Sequence, residues 1–240
     1  MKKLLLMFGA LALAIITIPM FAAFEAHVIN VTAMIENALS VTPTEIAYGT
    51  VFPQEKLDRP IDIAFSQSFT DELTADDVNY VIKQKPKCIL VGATTALPKY
   101  GRVTEDAQGN FVCEDDENYD ILPVLCPYLS KHEITVEQVE NDSAGINAFH
   151  GLPGIWNAAT TEDTKVAGRL AKSESDALDT WNIDLRVPCF EGTCSQDWDA
   201  FVLENNSEAN PDDYIQPAAN ESDLFGCDLW IEVTGVSRVQ

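Results

Sequence analysis

Six cysteines, three histidines and one acidic run are the side chains with most chemistry to offer in this 240-residue chain. Cys88, Cys113, Cys126, Cys189, Cys194 and Cys227 are even in number, form no CxxC pair and are not clustered with histidine. Zinc needs four converging thiolate or imidazole ligands, so this spacing argues for disulfides in an oxidising compartment instead. Sequence leaves many connectivities open. The pairing adopted as an expectation closes the loop CFEGTC with Cys189 and Cys194, crosses a hairpin with Cys88 and Cys113, and ties the middle to the end with Cys126 and Cys227.

His27, His132 and His150 are scattered, and HEITV lacks the second histidine that HExxH places on one helical face. No GxSxG, P-loop or dinucleotide glycine pattern occurs either. The chain therefore reads as a non-enzyme without a cofactor. The exception is a possible divalent cation: Glu114, Asp115, Asp116, Glu117 and Asp120 could hold calcium, whose hard charge wants several carboxylate oxygens at one loop. Their spacing matches neither an EF-hand nor a calcium-binding repeat, and acidic runs in loops are commonly solvated faces. Three aromatics in irregular segments, Phe149, Trp156 and Tyr214, are candidates for stacking a sugar, with core packing as the competing role.

Charge narrows the partners. With 38 Asp and Glu against 15 Lys and Arg, the net charge is −23. Such a surface repels phosphate backbones and anionic headgroups, which excludes nucleic-acid binding and leaves membrane contact only to the N-terminal leader. Disorder is excluded as well, because 46% of the residues are hydrophobic.

That leader begins with Lys2 and Lys3, runs apolar from Leu4 to Phe24 and is broken by Pro19 just before Ala22 and Ala23. The layout is that of an export signal spanning residues 1–22, followed by a single domain over 23–240. The apolar span is also long enough to cross a bilayer, so retention as an anchor is the alternative to cleavage.

Beyond the leader, His27 to Ile35 alternates with period two and reads as a half-buried strand. A further segment covers Glu45 to Tyr48, and Pro53 and Pro60 then mark a loop. Ile61, Ile63 and Phe65 share one face of a strand; VNYVIKQ forms another, and RVTEDAQGNFVC a hairpin. Asp71 to Asp77 reads as an acidic turn, ILPVLCPYL as a buried irregular segment, and VAGRLAKS as a short strand within a loop-rich region. Trp181, Ile183, Leu185 and Val187 alternate with polar residues. SQDWDAFVLENN is the one helix, with Ser195 as its N-cap and Trp198, Phe201 and Val202 on one face. FGCDLWIEVTGV closes the chain as a central strand. Short alternating strands without intervening helices predict an all-β fold: an antiparallel two-sheet sandwich, jelly-roll or immunoglobulin-like, with one short peripheral helix.

The leader junction FAAFEAHVINVTAMIENALSV, with Ala22, Ala23 and Phe24 followed directly by a polar strand and then the loop GTVFPQE, resembles the start of the TasA and camelysin (CalY) family of exported fibre proteins. The resemblance covers roughly the first 65 residues; the six cysteines and the loop around Gly151 and Gly154 depart from it. It implies cleavage near Ala22 and Ala23 by a SipW-type signal peptidase, a jelly-roll sandwich, and self-association in which the freed N-terminal segment completes a sheet of the next subunit. The expected function is thus a secreted or cell-surface structural protein of a fibre, biofilm or extracellular matrix. The alternative is an extracellular carbohydrate-binding or adhesion module.

Overall fold

The computed structural model describes residues 37–93, 97–134 and 145–238. The leader and the alternating stretch His27 to Ile35 lie outside the described residues. Strands β1 (Leu39–Thr42), β2 (Lys56–Leu57), β3 (Pro60–Phe65), β10 (Leu129–Glu133) and β12 (Leu178–Arg186) form one antiparallel sheet in the order β1-β3-β12-β10, with β2 also on β12. A second antiparallel sheet runs β11-β4-β13, from β11 (Val166–Ala171), β4 (Ala75–Lys85) and β13 (Asp228–Arg238). Two smaller assemblies complete the strands: β6-β5-β9, from Tyr100–Gly101, Cys88–Leu90 and Tyr119–Ile121, and the hairpin of β7 (Val103–Glu105) with β8 (Phe111–Cys113).

Period-two alternation explains the register. Ile61 lies opposite Trp181 and Val41 opposite Ile63, so the apolar faces of β1, β3 and β12 coincide. On the second sheet Leu170 faces Val78 and Ile82 faces Ile231. Ile61, Ile63, Trp181, Ile183 and Leu185 of the first sheet and Tyr80, Ile82, Val166 and Leu170 of the second belong to one buried cluster. Burying each large apolar side chain contributes about 1.5–3 kcal/mol, and this shared cluster is therefore what holds the main sheets.

Helices are more numerous than the expected one. Helix α1 (Gln67–Asp71) is capped by Ser66, whose Oγ accepts from Phe69 N at 3.2 Å; it ends on Asp71 and β4 begins at Ala75, so the stretch read as an acidic turn narrows to Glu72–Thr74. Helix α2 (Ala158–Asp163) is capped by Asn157, which accepts from Thr160 N at 3.0 Å. Helix α3 (Trp198–Asn205) is the expected one, but Asp197 rather than Ser195 is its N-cap. Ser195 gives its carbonyl to Trp198 N at 3.2 Å, while its hydroxyl donates to the Asp197 carboxylate at 2.6 Å. Nor is α3 merely peripheral, since Trp198, Phe201 and Val202 join the main core.

Two strand expectations change. Glu45 to Tyr48 forms no strand; Tyr48 instead donates its hydroxyl to the Ile183 carbonyl. Among the described residues the closing strand β13 pairs with β4 alone and is an edge, not the centre of its sheet. The hairpin is as expected, its turn held by the Asp106 carboxylate accepting from Gln108 N and Asn110 N, each at 2.8 Å.

Candidate functional site

All six cysteines are paired, as Cys88–Cys113, Cys126–Cys227 and Cys189–Cys194, the connectivity anticipated from their spacing. The first joins β5 to β8, and the second joins the 3-10 turn Cys126–Tyr128 to the approach to β13. Three disulfides fit an extracellular or otherwise oxidising environment. Among the described residues no helix is long and apolar enough to cross a membrane.

The acidic run is exposed, Glu114 to Glu117 on the loop between β8 and β9 and Asp120 within β9. Asp115 is turned back on its own loop, accepting from Asn118 Nδ2 at 3.0 Å, while Glu114 faces Arg102 at 3.6 Å. Asp116, Glu117 and Asp120 point to solvent with it, and among the described residues no three carboxylate, imidazole or thiol groups converge as an ion would require.

Phe149, Trp156 and Tyr214 are not a surface platform. They are 0%, 8% and 5% exposed. Phe149 packs edge-on against Tyr128, Trp198, Phe201 and Tyr214, with ring centroids 5.4–6.1 Å apart. Trp156 donates its Nε1 to the Gln84 carbonyl at 3.2 Å and packs with Phe111 and Cys126. The irregular backbone that carries these rings is folded over the core and turns them inward.

A buried polar group was missed. Lys131 lies opposite Ile183, on the inward face of β10, is fully buried and donates to the Thr164 carbonyl at 2.6 Å. Burial lowers its amine to about 7. His150 is held down to about 3 by burial and then by the charge of Lys131. Its Nδ1 lies 2.6 Å from the Asn147 carbonyl and its Nε2 2.9 Å from the Gln84 amide, which keeps a neutral ring in one orientation. The readable signal was period two: Leu129 is apolar, so Lys131 shares its face. An open cleft of 420 Å³ adjoins this group, lined by Ile146, His150, Leu152, Ile155, Thr160 and Asp163 among others.

The feature most able to engage another chain is β13. Its free edge forms no ladder among the described residues. It is eleven residues long, against four, five and six for the other outer strands β1, β10 and β11. The edge of β10 is partly occupied, because Lys131 and Ile146 exchange hydrogen bonds of 2.9 and 2.8 Å. Bulges after Val233 and Val236 interrupt β13, leaving Asp228 to Val233 as its regular stretch. Trp230, Val233 and Val236 are 40%, 39% and 51% exposed along it. An open edge with apolar side chains is a template for a further strand.

Comparison with protein-family models, with characterised proteins and with solved structures finds no match to this chain.

Proposed function

We propose that this protein is an exported structural subunit of a cell-surface fibre or extracellular matrix, a two-sheet sandwich whose copies join by strand addition. The observation that carries this reading is the edge of β13 that no strand pairs with among the described residues, in a domain tied by three disulfides. The occupant of that edge is the segment Phe24 to Ile35 of a second copy, released at the N-terminus when the leader is cut. Its alternating Ile29, Val31, Ala33 and Ile35 suit the regular stretch Asp228 to Val233, because backbone hydrogen bonds supply affinity and every second side chain supplies register. The resemblance of the leader junction to exported fibre proteins of the TasA and camelysin kind supports the same reading, as does a −23 charge that keeps the unassembled subunit soluble.

Negative-stain microscopy of the protein with and without residues 1–22 tests this. Filaments are expected only after leader removal, and deletion of Phe24 to Ile35 should abolish them while leaving a folded monomer. Filaments that survive the deletion would overturn strand addition.

A further inference from the structure

The outer face of the β11-β4-β13 sheet carries an arrangement unlike the rest of this acidic surface. Lys83, Lys85 and Lys87 recur at every second position along β4 and just beyond it. Trp230 lies opposite Lys83, on the face turned away from Ile82 and Ile231, which pack with the core. The Lys85 ammonium sits 3.8 Å from the centre of the Trp230 ring and 5.7 Å from that of Phe111, and the Lys83 ammonium 5.3 Å from Trp230. Lys87 is 4.3 Å from the ring centre of Tyr100. Trp230 and Tyr100 are 40% and 43% exposed, whereas Trp156, Trp181 and Trp198 are buried. Two accessible rings thus flank lysines spaced about 7 Å apart along the chain.

Charge selects the ligand. Lys83 pairs with Glu162 and Glu232, Lys87 with Asp228, and Lys165 shares Glu162, so four lysines are offset by three carboxylates and the patch keeps about one positive charge. Lys85 differs from its neighbours: its ammonium lies over the Trp230 and Phe111 rings and, among the described residues, makes no ion pair or hydrogen bond. A polyanion gains little from one uncompensated positive charge and is repelled by the −23 chain around it. A neutral sugar suffers no such repulsion. Its apolar ring face stacks on an exposed aromatic, and its hydroxyls accept from a lysine.

We propose that Trp230, Lys85 and Tyr100 form a binding platform for a neutral polysaccharide. The platform uses the face of the sheet, whereas strand addition uses its edge, so the two are separable. Trp230 is the primary stacking ring, offering the face opposite the Lys85 ammonium, with Lys85 the donor over its other face and Tyr100 a second ring for a longer chain.

The test is titration of the full chain with neutral β-glucan, α-glucan and chitin oligosaccharides and with an alginate oligomer, followed by calorimetry and tryptophan emission. At least one neutral oligosaccharide should bind, shift the emission and hold its affinity between low and high salt. Trp230→Ala should weaken binding about tenfold, the scale of a truncated aromatic hot spot. Lys85→Met, which keeps the surface packed, should weaken it about threefold, and Tyr100→Ala should affect only the longer oligosaccharides. Deletion of Phe24 to Ile35 should leave binding intact. Failure of every neutral oligosaccharide to bind, binding unchanged in Trp230→Ala, or binding of alginate alone with loss at high salt would overturn the proposal. So would occupation of Trp230 only when copies self-associate.

Discussion

The hydroxyl of Tyr80 on β4 donates to the buried carboxylate of Asp179 on β12, linking the two main sheets through their common core. Trp181 Nε1 donates to the same hydroxyl at 2.8 Å. Tyr80 also dictates its neighbour across the ladder: Gly168 lies opposite it, and a Cβ there would collide with the phenol ring and its oxygen.

Tyr80→Phe removes the hydrogen bond to a buried carboxylate and should cost about 1–3 kcal/mol. Gly168→Ala should cost about as much through overpacking, roughly 1–3 kcal/mol. Urea unfolding of both variants measures this, and because the two residues touch, the double variant should depart from additivity.

Lys131 and His150 set opposite ends of the pH response. For Lys131 the folded amine is at about 7, below its ordinary 10.5, so between these values the unfolded chain binds more protons. Its contribution to stability therefore rises as pH climbs from about 7 towards 10.5 and is flat below that window. For His150 the folded value of about 3 lies below 6.5, so stability is lost as pH falls from 6.5 towards 3. Lys131→Met should flatten the alkaline limb and stabilise the protein at pH 6 by a few kcal/mol, on the order of 1–4. Urea midpoints across pH, compared between this variant and the parent, give the answer.

The three disulfides should differ in worth. By loop-closure entropy, loops of 101, 25 and 5 residues correspond to about 4.7, 3.5 and 2 kcal/mol. Paired replacement of Cys126 and Cys227 by Ala should lower the thermal midpoint most, and replacement of Cys189 and Cys194 least, as read by calorimetry.

Calcium should leave the thermal midpoint where it is. Asp115, Asp116 and Glu117 are exposed on one loop, Asp120 is exposed on the strand β9 that follows it, and the four do not converge. Calorimetry with millimolar calcium and then a chelator should superimpose; a rise of several degrees would show a site formed by rearrangement of that loop.

Alternation was enough to place β3 and β12 and to choose their buried faces, because Ile61 and Ile63, or Trp181, Ile183 and Leu185, sit two residues apart and a pleated strand sends every second side chain to one side. The hairpin around Asp106 and Gly109 was legible for an equally local reason, its turn being closed by the Asp106 side chain. Cysteine number and spacing likewise pointed to a cross-linked domain. Periodicity, however, names a face and never a neighbour. It could not tell that β13 has β4 on one side and nothing described on the other, although Leu229 and Ile231 alternate as a central strand would. Nor could it tell that irregular backbone turns Phe149 and Tyr214 inward while regular strand leaves Trp230 exposed. Which apolar groups are covered depends on segments far apart in the chain, and that is decided only when the sheets pack. The amino-acid order determined strands, cross-links and charge; packing determined the place of β13 in its sheet, the exposed rings and the buried lysine.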